Sequence, residues 1–234
     1  MRGETAMKFL VDHADIQKIK EVYRVFPMDG VSTNPSILAA SGRQPFDVLK
    51  EIREFIGAEA DLHVQVVGQT AEAMLEDAAR IRKELGANTY VKIPVNEEGL
   101  VAIKTLRKED KTAHITATAI YTAMQGFLAA KAGANFAAPY VNRIDNLGAN
   151  GVETAKTIHD IFRRNDLPAD ILAASFKNSQ QVLDLCVYGV GAATIAPDVI
   201  HGLIKNDCVT MAIEAFTKDF AKLCGEGVTM KDAK

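Results

Sequence analysis

Little in this chain of 234 residues marks it for a membrane, a nucleic acid or a metal. No apolar run approaches the ~20 residues that a membrane-spanning helix needs. The opening stretch, MRGETAMKFL, has neither an apolar core nor a small-residue cleavage site, so no signal peptide is evident. Basic charge is not in excess: 27 Lys and Arg oppose 30 Asp and Glu, for a net −3. That balance gives no electrostatic case for nucleic acid or for an anionic membrane surface. Cysteine is scarce. Cys186, Cys208 and Cys224 show no metal spacing and cannot all pair, so they read as free thiols of a reducing cytoplasm, with Cys186 a small core residue in an apolar helical run. The five histidines are scattered, with no two at a ligand spacing, which leaves zinc-dependent chemistry without a site. The turn after the first apolar run reads DHADI rather than a dinucleotide fingerprint, and no Walker-type loop occurs. Neither a metal nor a cofactor is expected.

What is present is an alternation. Short apolar β runs fall at 7–12, 30–34, 61–67, 89–95, 114–120, 135–141, 170–176 and 192–196. Amphipathic stretches separate them, such as the one with Ile16, Ile19, Val22 and Tyr23 on one face after a capping Asp15. Another runs from Thr70 to a stop at Gly86. Eight β/α alternations argue for parallel strands joined by right-handed crossovers, a (β/α)8 TIM barrel. The expected layout is a short extension over 1–6 and one barrel domain over 7–234, including an extra C-terminal helix near 209–223.

In such a barrel, chemistry gathers at the C-terminal ends of the strands. Polar residues stand there on nearly every run: Asp12, Ser32-Thr33-Asn34, Gln65, Lys92, Thr116 and Thr118, Tyr140 with Arg143, and Ser175 with Lys177. Lys92 is the most informative, because it interrupts the apolar YVKIPV. Burying an ammonium is costly unless it is paired or loses its proton. A neutral lysine is a nucleophile that condenses with a ketone, and the resulting iminium stabilises a carbanion at the neighbouring carbon.

Each residue also has a plain structural reading. Lys92 can snorkel from a strand end or pair with Asp12. Asp12 can be a helix cap, and Asn34-Pro35 a turn with the proline at the first helical position. Gln65 can face outward, the Tyr140 hydroxyl can bond to backbone, and Arg143 and Lys177 can be solvated surface charges. Their shared position at strand ends weakens these readings together, since an aldol site needs all of these groups.

Five stretches resemble the transaldolase-like family, and within it the fructose-6-phosphate aldolase branch. They are GVSTNPSILAA (30–40), YVKIPVNEEGLVAIKTL (90–106), TAIYTAMQG (118–126), AGANFAAPYVNRID (132–145) and LAASFKNSQQVLDL (172–185). The resemblance covers nearly the whole chain. It implies a Schiff-base lysine at Lys92, with Asp12 in proton transfer or in orienting donor hydroxyls. It implies that Gln65, Thr118 and Tyr140 hold a catalytic water, with Tyr140 also moving protons. Ser32, Asn34 and Ser175 would contact the substrate, and Arg143 would bind a phosphate with Ser175 and Lys177. Transaldolase-type members usually carry Glu at the place of Gln65 and Phe at that of Tyr140, so this pair resembles the aldolase branch. Three departures are visible: VSTNP for the commoner VTTNP, VDHA for LDT, and a polar Thr116 near the acceptor side.

The leading reading is therefore a cofactor-independent aldolase that cleaves or forms fructose 6-phosphate from dihydroxyacetone and glyceraldehyde 3-phosphate. The alternative is a transaldolase moving the same ketol unit between phosphorylated or sulfonated sugars. A non-enzymatic phosphosugar-binding barrel is the reading from another class. The expected partners are a small sugar phosphate or sulfonate and further copies of the chain, as the pentamer or decamer the resemblance implies. The expected location is the cytoplasm.

Overall fold

The computed structural model describes residues 6–234. The extension expected over 1–6 therefore lies, but for its last residue, outside the described residues. In chain order the elements are β1 (Lys8–Asp12), α1 (Ile16–Val25), β2 (Gly30–Ser32), α2 (Pro35–Ala40), α3 (Pro45–Ile56), β3 (Asp61–Gln65), α4 (Ala71–Leu85), β4 (Tyr90–Pro94) and α5 (Glu97–Glu109). There follow β5 (Ile115–Ile120), α6 (Ala123–Ala132), β6 (Phe136–Pro139), α7 (Val141–Asn146), α8 (Gly151–Arg164), β7 (Asp170–Ala173), α9 (Ser179–Tyr188), β8 (Ala192–Ile195), α10 (Pro197–Gly202) and α11 (Asp207–Cys224). The eight strands are parallel and close on themselves in sequence order, with β1 pairing both β2 and β8. This is the (β/α)8 barrel that the alternation predicts, with α11 as the extra C-terminal helix.

Local chemistry sets the helix starts. Asp15 accepts from the backbone N–H groups of Gln17 and Lys18, and Asn34, Thr70, Asn96, Asn150 and Asn178 each accept one at the start of α2, α4, α5, α8 and α9. Each bond satisfies a donor that the first helical turn leaves unpaired. Thr122 and Gln125 form a reciprocal capping box at α6. Helix α1 then buries Ile16, Ile19 and Val22, one per turn, against the barrel wall.

Two apolar clusters follow from the strand alternation. The larger lies between strands and helices and takes the outward residues, among them Val91, Ile93 and Ile115, all at 0% exposure. Burying side chains of that size contributes about 1.5–3 kcal/mol each. The smaller lies inside the barrel and is thin: Leu10, Ala138, Leu172 and Ala192, with Phe136 against them. The rest of the interior is polar, which is where the chemistry has room.

Three departures from the sequence reading have physical causes. The strands expected over 30–34, 61–67 and 170–176 stop earlier, at Ser32, Gln65 and Ala173. The residues beyond leave the ladder to build the mouth; Asn34, for example, becomes the cap of α2, with Pro35 at its start. The run expected to extend to 141 gives way at Val141 to the short helix α7. Cys186 is exposed rather than a core residue, because α9 buries the stripe Gln181, Val182 and Leu185 and turns Cys186 outward with Leu183 and Val187. All three cysteines are free.

Helix α11 buries no residue at all. Val209, Met211, Ile213, Phe216 and Leu223 stand exposed along it, the last two at 72% and 82%. Among the described residues no helix is long and apolar enough to cross a membrane.

At the mouth, α5 approaches β4 closely. A Cβ on Gly99 would stand 1.8 Å from the Pro94 carbonyl oxygen, a backbone atom with no freedom to yield. Gly99→Ala is expected to cost about 1–3 kcal/mol through this overpacking. Calorimetry is expected to show a melting temperature lower by roughly 3–10 °C; an unchanged value would contradict the packing described.

Candidate active site

Lys92 lies in the middle of β4, in register with Gln65 on β3 and Thr116 on β5. Its neighbours Val91 and Ile93 face the helices, so the pleat turns Lys92 into the barrel. It is 4% exposed. Its Nζ donates to Ser32 Oγ at 3.0 Å and to the Thr33 carbonyl oxygen at 2.7 Å. A neutral amine has two N–H bonds and one lone pair. Two acceptors therefore hold both N–H bonds of the neutral form and leave the lone pair directed elsewhere.

The electrostatics favour that neutral form. Burial lowers the Lys92 pKa from its ordinary 10.5, against the pull of the Asp12 carboxylate, which raises it. Asp12 ends β1 and pairs in register with Ser32. Burial raises its pKa above the ordinary carboxylate range, opposed by Lys92 and then Arg143. Its Oδ1 is shielded from solvent and has no hydrogen-bond partner among the described residues. An acid pushed up beside a base pushed down brings the two pKa values closer together, an arrangement suited to passing protons.

Beside Lys92, the end of the neighbouring strand β5 is distorted. The β5–β6 register shifts between Ala117 and Ile120, and Ala119 takes a left-handed φ of 56°. Irregularities of this kind re-aim side chains beside active sites. Here Thr118 is left facing Tyr140, with Oγ1 and the phenol oxygen 2.9 Å apart. The Arg143 guanidinium lies over the Tyr140 ring, 4.9 Å from its centroid. On the other flank of Lys92, Gln65 of β3 has a buried Oε1 with no partner among the described residues, and the residue lines a cavity of about 480 Å³ with Pro35, Pro94 and Asn96.

The structure thus brings Lys92, Asp12, Ser32, Gln65, Thr118, Tyr140 and Arg143 to one mouth. Ser32, expected to touch substrate, is fully buried with its hydroxyl on the lysine amine. Asn34 spends its Oδ1 on the Ile37 N–H. Ser175 follows β7 at a left-handed φ of 61°, and its carbonyl accepts from the Asn142 N–H at 2.8 Å. Lys177 is exposed beyond it. Among the described residues, no group of three or more His, Cys, Asp or Glu is placed to hold a metal ion.

Two features escape the sequence reading. Tyr121, one residue past β5, stands edge-on to Tyr140 at 5.6 Å. The nearby Tyr121 side chain raises the Arg143 pKa, which favours the charged guanidinium. Its place just beyond a strand end was the available signal. His63 is fully enclosed in the barrel, stacked on Tyr90 at 4.3 Å, with Nδ1 2.9 Å from Thr116 Oγ1. Burial and then Lys92 hold its pKa well below 6.5, so it is neutral. Thr116, expected near the acceptor side, is fully buried, and its hydroxyl is engaged by this histidine.

Comparison with known proteins identifies the family. A family model described as Transaldolase/Fructose-6-phosphate aldolase matches residues 9–233. A protein of Streptococcus pneumoniae described as a probable fructose-6-phosphate aldolase is 39% identical over 215 residues, spanning 92% of this chain and 96% of its own.

The Lys92 amine is open to a direct pH test. Reductive methylation by formaldehyde consumes only the neutral form, so its rate rises with pH through the pKa of the group. Mass spectrometry of the peptide carrying Lys92 is expected to give a half-maximal rate below pH 10.5. The Asp12 charge raises the lysine pKa. In Asp12→Asn the midpoint is therefore expected to fall further. A midpoint at the ordinary value in both proteins would contradict the electrostatics described.

Proposed function

We propose, from the premise that the chain belongs to the transaldolase/fructose-6-phosphate aldolase family, that it is a Schiff-base aldolase acting on fructose 6-phosphate. The observation that carries the reading is the buried Lys92 amine, bonded through two N–H groups to Ser32 Oγ and Thr33 O. Its free lone pair adds to the ketone carbon of the sugar. Loss of water leaves an iminium on Nζ. A base then takes the proton of the hydroxyl on the second carbon from the iminium, and the carbon–carbon bond between that carbon and its neighbour breaks. The bonding electrons pass into the iminium to give an enamine, and glyceraldehyde 3-phosphate departs. Protonation of the enamine carbon and addition of water release dihydroxyacetone and restore the lysine.

We assign the proton transfers to Asp12 and to Tyr140. Asp12 carries a raised pKa beside the lysine and an unpartnered Oδ1. Gln65, Thr118 and Tyr140 hold the water, on the strength of the buried Gln65 Oε1 and the Thr118–Tyr140 contact of 2.9 Å. Asn34 and Ser175 meet the sugar hydroxyls, while Ser32 also orients the amine. Arg143 takes the phosphate, with Ser175 and Lys177 beside it, because a guanidinium forms paired bonds to a phosphate or sulfonate.

The phenol separates free cleavage from transfer. A hydroxyl at residue 140 can relay the proton that discharges the enamine as dihydroxyacetone. Without it, the enamine waits for an acceptor aldehyde, which is the transaldolase course. The bare apolar side of α11 further supports assembly with other copies of the chain, as the ring of five or ten that the family resemblance implies.

Borohydride reduction in the presence of dihydroxyacetone is expected to add one three-carbon unit at Lys92, and none in Lys92→Met. An unlabelled, folded wild-type protein would refute the enzyme reading and leave a sugar-binding barrel. Tyr140→Phe is expected to lower acceptor-free release of dihydroxyacetone by about 10²-fold or more, the lower end of what general acid–base catalysis contributes. Ketol transfer to an added aldehyde is expected to survive better. Equal loss of both activities would undo the role given to the phenol.

A further inference from the structure

Arg143 sits on α7, whereas Ser175 and Lys177 sit on the loop between β7 and α9. A phosphate held by both needs the two segments fixed against each other. Backbone bonds do part of this: Val141 N donates to the Ala174 carbonyl at 2.9 Å, and Asn142 N to the Ser175 carbonyl at 2.8 Å. The remainder runs through two side chains to which the proposed chemistry gives no role.

Gln181, in the first turn of α9, is 8% exposed. Its Oε1 accepts from the Lys177 N–H at 2.8 Å, and its Nε2 donates to Asp145 Oδ2 at 2.6 Å. Asp145, two residues past Arg143, uses its other oxygen to accept from the Gly151 N–H at 2.7 Å. The amide orientation of Gln181 is forced, because a backbone N–H must meet oxygen and a carboxylate must meet N–H. Ser175, between the two anchored points, holds a left-handed φ of 61° that a serine does not adopt freely.

We infer that Asp145 and Gln181 are positioning residues for the substrate's anionic end: their bridge, from α7 through Gln181 to the Lys177 backbone, locks Arg143, Ser175 and Lys177 into one preformed phosphate cradle. The inference rests on the aldolase reading above and extends it to acceptor selectivity. Preforming the cradle removes the ordering cost from phosphate binding. Loosening it weakens binding of phosphorylated sugars and leaves the Lys92 amine as it was.

The test exploits the polarity of the bridge. Gln181→Glu sets a carboxylate against Asp145 and removes the donor. It is expected to raise KM for fructose 6-phosphate about tenfold, with kcat within about twofold and little change in KM for unphosphorylated glyceraldehyde as acceptor of dihydroxyacetone. The double change Asp145→Asn with Gln181→Glu reverses the donor and acceptor and keeps the charge of the pair. It is expected to restore KM and the melting temperature. The inference fails if Gln181→Glu, folded, changes KM for fructose 6-phosphate and for glyceraldehyde alike or changes neither, or if the folded double variant does not recover. Two controls isolate the underlying reading. A wild type that forms no dihydroxyacetone adduct under borohydride, or an Arg143→Ala variant with unchanged KM for fructose 6-phosphate, overturns the aldolase or phosphate assignment itself and this inference with it.

Discussion

The structure turns on one buried amine. Among the described residues Lys92 Nζ reaches two acceptors, a hydroxyl and a carbonyl, neither of them charged. Taking an ammonium out of water without a close counter-ion costs several kcal/mol. The cost is relieved when the proton leaves, and the leaving proton is what makes the nitrogen a nucleophile. Stability and reactivity are thus set by the same desolvation, and the sequence retains a lysine where a core would prefer leucine.

The rest of the barrel is consistent with that constraint. A second positive charge in the interior would compete with Lys92, and His63 is held neutral beneath it. Asp12 is placed in register with Ser32, close enough to raise the Lys92 pKa but outranked by burial. The interior is therefore divided: a thin apolar plug of Leu10, Ala138, Leu172 and Ala192, and a polar set above it that needs substrate or water to complete its hydrogen bonds. Asp12 Oδ1 and Gln65 Oε1 keep unfilled bonding capacity there, and on the proposed aldolase reading they face the sugar while Arg143 takes its anionic end.

Much of this was legible in the sequence, for identifiable reasons. Eight apolar runs at β length, interrupted by helical periodicity, leave few architectures besides a closed parallel barrel, and the barrel places Lys92 and its companions together. The period of two also decides that Lys92 faces inward, since Val91 and Ile93 must face the helices. What was not legible concerns backbone that leaves the regular pattern. Periodicity carries the strand past Tyr140, but the bridge from Tyr140 to Ala174 of the neighbouring strand ends the regular pairing and the short helix α7 begins at Val141. It also carries Cys186 into the core, because an apolar run does not reveal which of its faces lacks a partner. The Thr116–His63 bond joins residues 53 positions apart, and no local signal announces such a pairing. The same holds for the bridge from Asp145 to Gln181, 36 positions apart.

The protonation state of Lys92 can be observed without any substrate. In protein labelled at the lysine Cε, the resonance that disappears in Lys92→Met identifies this side chain, and its chemical shift reports the charge on the adjacent nitrogen. The account predicts a titration displaced below the ordinary 10.5, in the folded protein and not after unfolding. A Lys92 resonance that stays in its ammonium position up to the ordinary lysine range would contradict it.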